Sequence, residues 1–282
     1  MKRVFFVITA IFLVLIFSTT GAWAKGAEES LAKRVADLEA TVAALQAQLV
    51  SYQALFNYVR VDENEINGLA GPHVIFEGAN VHIRNGSGQT YEDSTPSGLG
   101  NLIIGYNECG ERVDSDPSFS RPGFHNLVIG PEHGYNSYGG FILGYGNTIS
   151  GQYSSVSGGF MNTASGPASS VSGGILCTAS GDFASVGGGY DNEASSQYSS
   201  VSGGWSNTAS GNYASVSGGS FNTASGVESS VSGGNLNEAS AWGSSVSGGA
   251  GNKASGERSW ASGGTGNEAS GVRSSVSGGA GN

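Results

Sequence analysis

From Gly151 to Asn282 the chain restates one phrase, Ser-Ser-Val-Ser-Gly-Gly-x-x-Asn-Thr-Ala-Ser-Gly-x-x, every 15 residues without slippage. Valine falls at Val156, Val171, Val186, Val201, Val216, Val231, Val246 and Val276, with Ala261 in the one gap. A second register holds Ala164, Ala179, Ala194, Ala209, Ala224, Ala239, Ala254 and Ala269. A fixed period means that each repeat makes the same turn and stacks on its neighbour, which predicts a solenoid. With Gly151 as the first column, Val and Ala occupy the sixth and fourteenth. Each sits in a short strand, so alternation points them inward and the flanking serines outward.

The remaining columns are turn chemistry. Glycine supplies 48 residues against 6 prolines, which excludes collagen and fits tight bends. Asn at the twelfth column (Asn162, Asn192, Asn207 and onward) fits either a left-handed backbone or a ladder of side-chain amides. At roughly 4.8 Å per turn, the regular repeats would extend about 40 Å. One Val and one Ala per turn make a thin core for so much ordered backbone, so side-by-side association of several rolls is expected.

Residues 1–24 read as a secretory signal: Lys2 and Arg3, an apolar run from Val4 to Phe17, then Ala22-Trp23-Ala24. The formal charge of −10 becomes −12 once those two bases are removed, and such a chain does not suit nucleic acid. Charged residues are only 12% of the total, which disfavours charge-driven disorder. Cys109 and Cys177 are expected to be free thiols rather than a disulfide.

Residues 25–60 carry a heptad seam: Leu31, Val35, Leu38, Val42, Leu45, Leu49, Tyr52, Phe56 and Val59. This predicts a coiled-coil stalk. Val and Leu lean towards a dimer by simple rules. Against that, Arg34-Val35-Ala36-Asp37-Leu38-Glu39 resembles a short trimerisation motif in which Arg and Glu pair across helices. The trimer is favoured, with Arg34, Val35, Leu38, Glu39, Val42, Leu45 and Leu49 as its contacts. Gly68, Gly71 and Pro72 end the helical pattern, and residues 61–100 read as a β-rich neck with two short strands between Val74 and Ile83. Residues 101–150 read as irregular opening turns, from Asn101-Leu102-Ile103-Ile104-Gly105 to its echo Asn126-Leu127-Val128-Ile129-Gly130; residues 151–282 are the regular stack.

The phrase Ser-Val-Ser-Gly-Gly-x-x-Asn-x-Ala-Ser-Gly resembles the YadA-like head repeat of trimeric autotransporter adhesins. The resemblance covers residues 126–282, and 101–125 more loosely. It implies a mainly β fold, a left-handed parallel β-roll, with three rolls associated into a head next to a coiled coil. It also implies an adhesive role at the cell surface. This chain departs from the family in three ways: its period is one residue longer, its coil precedes the head, and no C-terminal β-barrel anchor follows. Ending within a repeat at Gly281-Asn282 suggests a truncated sequence or another mode of attachment.

No catalytic, cofactor-binding or metal-binding constellation is expected. His73, His82, His125 and His133 are scattered, the Gly-Gly pairs lack a phosphate-loop Lys, and Gly187-Gly188-Gly189-Tyr190-Asp191 is a lone partial match to a calcium nonapeptide. The columns that vary are the candidate contacts: Tyr153, Phe183, Tyr198 and Tyr213 in the third, and Trp205 among the aromatic and aliphatic residues of the tenth and eleventh. They serve either a ligand or the trimer interface. The expectation is an exported, non-enzymatic adhesin or surface fibre, self-associating and binding a host or matrix protein or a glycan. A secreted structural fibre or an ice-binding solenoid is the alternative, the latter because outward Ser-x-Ser pairs recur at a regular spacing.

Overall fold

The computed structural model describes residues 28, 30–50, 52–91, 97–109 and 120–282. The expected signal segment, 1–24, lies outside them. The chain divides into two compact units, Met1–Val81 and His82–Asn282.

In the first unit, the described residues of 28–56 form one helix, α1, where Ala, Leu, Gln and Glu favour helix and no Gly or Pro interrupts. Its described side chains are all exposed, and from Leu31 to Leu49 the seam residues are 45–61% exposed. The expected seam ran to Val59, but the Tyr58 amide bonds to the Leu55 carbonyl at 3.0 Å and closes the helix. Val59 instead opens strand β1 (Val59–Asp62), where β-branched residues favour extension. Strand β1 pairs antiparallel with β2 (His73–Phe76), Val59 facing Phe76. The second strand expected near Val81 and Ile83 is absent, because β2 takes its partner from upstream.

The second unit is a parallel β-solenoid. Two-residue strands from the fifth and sixth columns stack in one sheet, Ser155-Val156 on Ser170-Val171 on Ser185-Val186 and so on. That sheet has 12 strands among the described residues and starts at β3 (Leu102–Ile104) and β4 (Leu127–Ile129). Strands from the thirteenth and fourteenth columns stack into a second sheet of 10. A third ladder of single bridges runs through the tenth column from Tyr145 to Ala280. The valines from Val156 to Val246 and the alanines from Ala164 to Ala269 are fully buried between them, as alternation predicts. Cys109 is exposed, Cys177 is buried, and both are free thiols.

After a first turn of 25 residues, from Leu102 to Leu127, the turns that lead into the regular stack keep the same register with a shorter period. Leu127 pairs with Phe141 and Phe141 with Ser155, a spacing of 14, whereas Ser155 pairs with Ser170, a spacing of 15. The added residue lies between the first sheet and the single-bridge ladder. Phe141 to Tyr145 is four steps, while Ser155 to Phe160, their partners, is five. Of the glycine pair now at that bend, the second is structural: Gly204 has φ +99°, and a Cβ there would meet the Gly219 carbonyl oxygen at 2.2 Å. The first, Gly203, faces open space. The longer period is therefore the shorter turn plus one half-buried glycine, bulged out of the ladder with open space on its Cβ side.

Asn at the twelfth column does not adopt a left-handed backbone; the residue before it does, as at Met161 and Leu176. The Asn side chains form a buried ladder instead. The Asn207 amide nitrogen donates to the Gly203 carbonyl at 3.0 Å and to the Gly219 carbonyl of the next turn at 2.9 Å. Its Oδ1 accepts the Asn222 backbone N–H at 3.0 Å. The bond to the carbonyl four residues back does not depend on the extra glycine, since Asn147 donates to the Leu143 carbonyl at 2.6 Å in a turn that lacks it. The ladder continues upstream through Asn147 to His133, whose Nδ1 accepts the Asn147 N–H at 3.2 Å while Nε2–H donates to the Ile129 carbonyl at 3.0 Å. His133 copies the amide's pattern: one acceptor towards the next turn, one donor to the carbonyl four residues back. Burial holds its pKa below the ordinary value, with Arg121 a smaller influence in the same direction.

Candidate interaction surface

Besides the glycine bend at the ninth column, the backbone of every regular turn enters the left-handed region at two further corners, at the third column and at the eleventh. Such a conformation favours glycine and disfavours bulky side chains. Several turns do place glycine there: Gly243 at the third column, Gly251 and Gly266 at the eleventh, with φ of +60 to +65°. Other turns place large residues at the same corners: Tyr153, Phe183, Tyr198 and Tyr213 in the third, with φ of +57 to +60°, and Phe221 in the eleventh. The fold accepts glycine at both, so the side chains answer to something besides backbone geometry.

At the third column they build a ridge. Phe183 stacks on Tyr198 with ring centroids 5.0 Å apart and planes within 7°, and Tyr198 on Tyr213 at 5.0 Å and 12°. Upstream, Phe124 stacks on Tyr138 at 5.1 Å, and Tyr138 meets Tyr153 edge-on at 5.3 Å. Offset aromatic stacks of this kind contribute about 0.5–1.5 kcal/mol each beyond burial. That offsets part of the conformational cost. The rings nonetheless stay open to water, Tyr198 at 43% and Tyr213 at 56% exposure.

Trp205 belongs to a different ridge. It bridges in the tenth-column ladder between Tyr190 and Ser220, and its ring lies 6.4 Å from Tyr190 and 5.2 Å from Phe221. Tyr145 and Phe160, stacked at 5.2 Å, begin that ridge. The five candidate residues therefore form two surfaces, four on one corner and Trp205 on the other. Tyr138 and Tyr145 carry the two ridges into the opening turns, where the changed period hides their columns from the sequence, while Phe124, at 1% exposure, belongs to the core.

Both ridges fade towards the last turns. The third column becomes Glu228, Gly243, Arg258 and Arg273, with Arg258 held over Trp242 at 4.1 Å, a cation–π contact. Between the ridges lie in-register hydroxyl rows: Ser155, Ser170, Ser185 and their successors on one sheet, broken by Trp260, and Thr163 and Thr178 on the other, broken by Glu193, Glu238, Lys253 and Glu268. Lys253 pairs with Glu238 at 3.3 Å in that row.

In the first unit, Val42, Leu45, Leu49 and Tyr52 line an apolar strip on α1, and Arg34, Val35, Leu38 and Glu39 lie on the exposed helix ahead of it. No group of three or more His, Cys, Asp or Glu side chains suited to a metal ion occurs among the described residues. No helix of the described residues is long and apolar enough to cross a membrane. Comparison with protein-family models and with curated proteins finds no match to this chain.

Proposed function

We propose that the chain is an exported, non-enzymatic surface adhesin or surface fibre. In this reading α1 joins two further copies in a parallel coiled coil, and the solenoid presents its ridges to a host or matrix protein or to a glycan. One observation carries it: a single chain leaves in water both an apolar helix seam and ordered aromatic ridges. Isolated exposed apolar residues are ordinary, but contiguous rows of them mark interaction surfaces. The seam's heptad spacing and the Arg34–Glu39 motif support self-association into a trimer. The parallel solenoid supports the likeness to YadA-like heads, and the glycine bulge accounts for the one-residue departure in period.

The test is the mass of the purified chain in solution together with its adherence to immobilised matrix proteins and glycans. The expected result is a trimer that adheres. Leu38→Asp with Leu45→Asp should yield monomers and weaken adherence through lost multivalency, by about a hundredfold or more. A monomer that adheres to nothing would overturn the proposal. The in-register Ser rows favour a second reading, ice binding, which a thermal-hysteresis measurement on the same sample decides.

A further inference from the structure

The third-column ridge has one rung without a ring. From Tyr153 it runs through Ala168, Phe183, Tyr198 and Tyr213; further upstream the column itself holds Gly139 and His125, and the residues just ahead of them, Tyr138 and Phe124, supply the rings. Ala168 shares the left-handed backbone of its neighbours, at φ 53°, and its amide bonds to the Gln152 carbonyl at 2.7 Å, so the turn itself is regular. Only the ring is absent. The flanking side chains do not close over the vacancy, because Ala168 and Pro167 beside it are exposed. Tyr153 lies over Gly139 on the far side, where an added Cβ would come within 2.8 Å of its Cδ1. Phe183 uses one face to stack on Tyr198, which turns the other towards Ala168.

Two turns separate Tyr153 from Phe183, about 9.6 Å at ~4.8 Å per turn. That equals two stacking intervals of this ridge, whose consecutive rings lie 5.0 Å apart. One ring therefore fits the gap. The rim is polar: Gln152 and Asp182, each one residue before the flanking aromatic, are both exposed. An aromatic face beside a carboxylate and an amide suits a pyranose, which has an apolar C–H face and a belt of hydroxyls. Charge narrows the class further. No Lys or Arg lies between Arg121 and Lys253, while Asp182, Asp191, Glu193 and Glu228 do. This stretch repels sulfated and sialylated chains.

We propose that the missing rung at Ala168 is a glycan slot, in which one pyranose of a neutral or amino-sugar glycan stacks on the free face of Phe183. The proposal rests on the adhesin reading and names its ligand. The test is calorimetric titration of the full chain with soluble oligosaccharides of glucose, mannose, galactose and N-acetylglucosamine, with heparin as the polyanion. At least one neutral sugar should bind and heparin should not. Ala168→Tyr supplies the absent ring in a conformation that tyrosine already adopts at Tyr153 and Tyr198, so it should keep the fold and abolish sugar binding. Phe183→Leu keeps an apolar side chain and removes the stacking face, and should weaken binding about tenfold. Sugar binding unchanged in Ala168→Tyr, or a preference for heparin, would overturn the slot. So would adherence to protein surfaces with no sugar bound, which would leave the adhesin reading standing. A chain that binds neither sugars nor surfaces would remove both.

Discussion

Cys177→Asn should stabilise the solenoid. Cys177 occupies the one position between Asn147 and Asn282 where the ladder lacks its amide. In its own turn and the next, an Asn would donate to the Gly173 and Gly189 carbonyls and accept the Asn192 N–H, as Asn162 and Asn207 do at their positions. The thiol offers only weak contacts instead, 3.6 Å from the Ile175, Gly188 and Gly189 carbonyls, and the Asn192 N–H faces sulfur. Burial also raises the thiol's pKa, so it stays neutral and a poor acceptor. Each buried hydrogen bond is worth about 0.5–1.5 kcal/mol net, and three are restored. Allowing for the cost of burying the amide, the gain should be ~2 kcal/mol, or roughly 4–8 °C in melting temperature for a domain of this size. Circular dichroism under reducing conditions reads the shift, and hydrogen exchange at the Asn192 amide should slow. The reverse substitution, Asn207→Cys, should cost a similar amount. If Cys177→Asn leaves melting unchanged and Asn207→Cys is harmless, the ladder contributes nothing and the reasoning fails.

His133 makes the stack acid-sensitive. Its folded pKa lies below 6.5, so beneath that pH the unfolded chain takes up a proton the folded chain refuses, and stability falls as pH drops. Melting at pH 7.5 and pH 5 should show this, and His133→Asn, which keeps one donor and one acceptor, should flatten the dependence at that site. The glycine pair gives a paired control. Gly203→Ala meets no atom within 4 Å and should be neutral or stabilise by up to about 1 kcal/mol through the unfolded chain, whereas Gly204→Ala drives a Cβ into backbone and should cost several times as much. Equal effects in thermal unfolding would refute the distinction between bulge and bend.

The solenoid was legible because its signal is redundant. Val and Ala recur at one interval over many turns, and strand alternation then sorts the inward from the outward side chains. The Asn ladder was not, because a single Asn carries both a turn propensity and an amide, and only stacking decides which is used. His133 was hidden for the same reason: without the neighbouring turns nothing marks an imidazole as a stand-in for Asn. Heptad spacing alone extends the seam to Val59, because spacing cannot register that the chain has already turned at Tyr58. The candidate contacts were found by their variability, yet their division into two ridges needed the corners of the turn. Ala168 carries no signal in sequence, since a small residue is informative only when the rings on either side are known to be stacked.

The glycine bulge has a consequence for how such a solenoid changes over generations. Because the fifteenth residue leaves the ladder untouched and each turn bonds only to the turns beside it, removing residues 196–210 would join Ser195 to Gly211 and recreate an existing junction. Recombination between near-identical repeats could then lengthen or shorten the solenoid by whole rungs, with every hydrogen bond at the scar already rehearsed elsewhere in the chain. The stack behaves as a ruler graduated in turns, in which reach and the number of displayed rings vary together while the chemistry of each graduation stays the same.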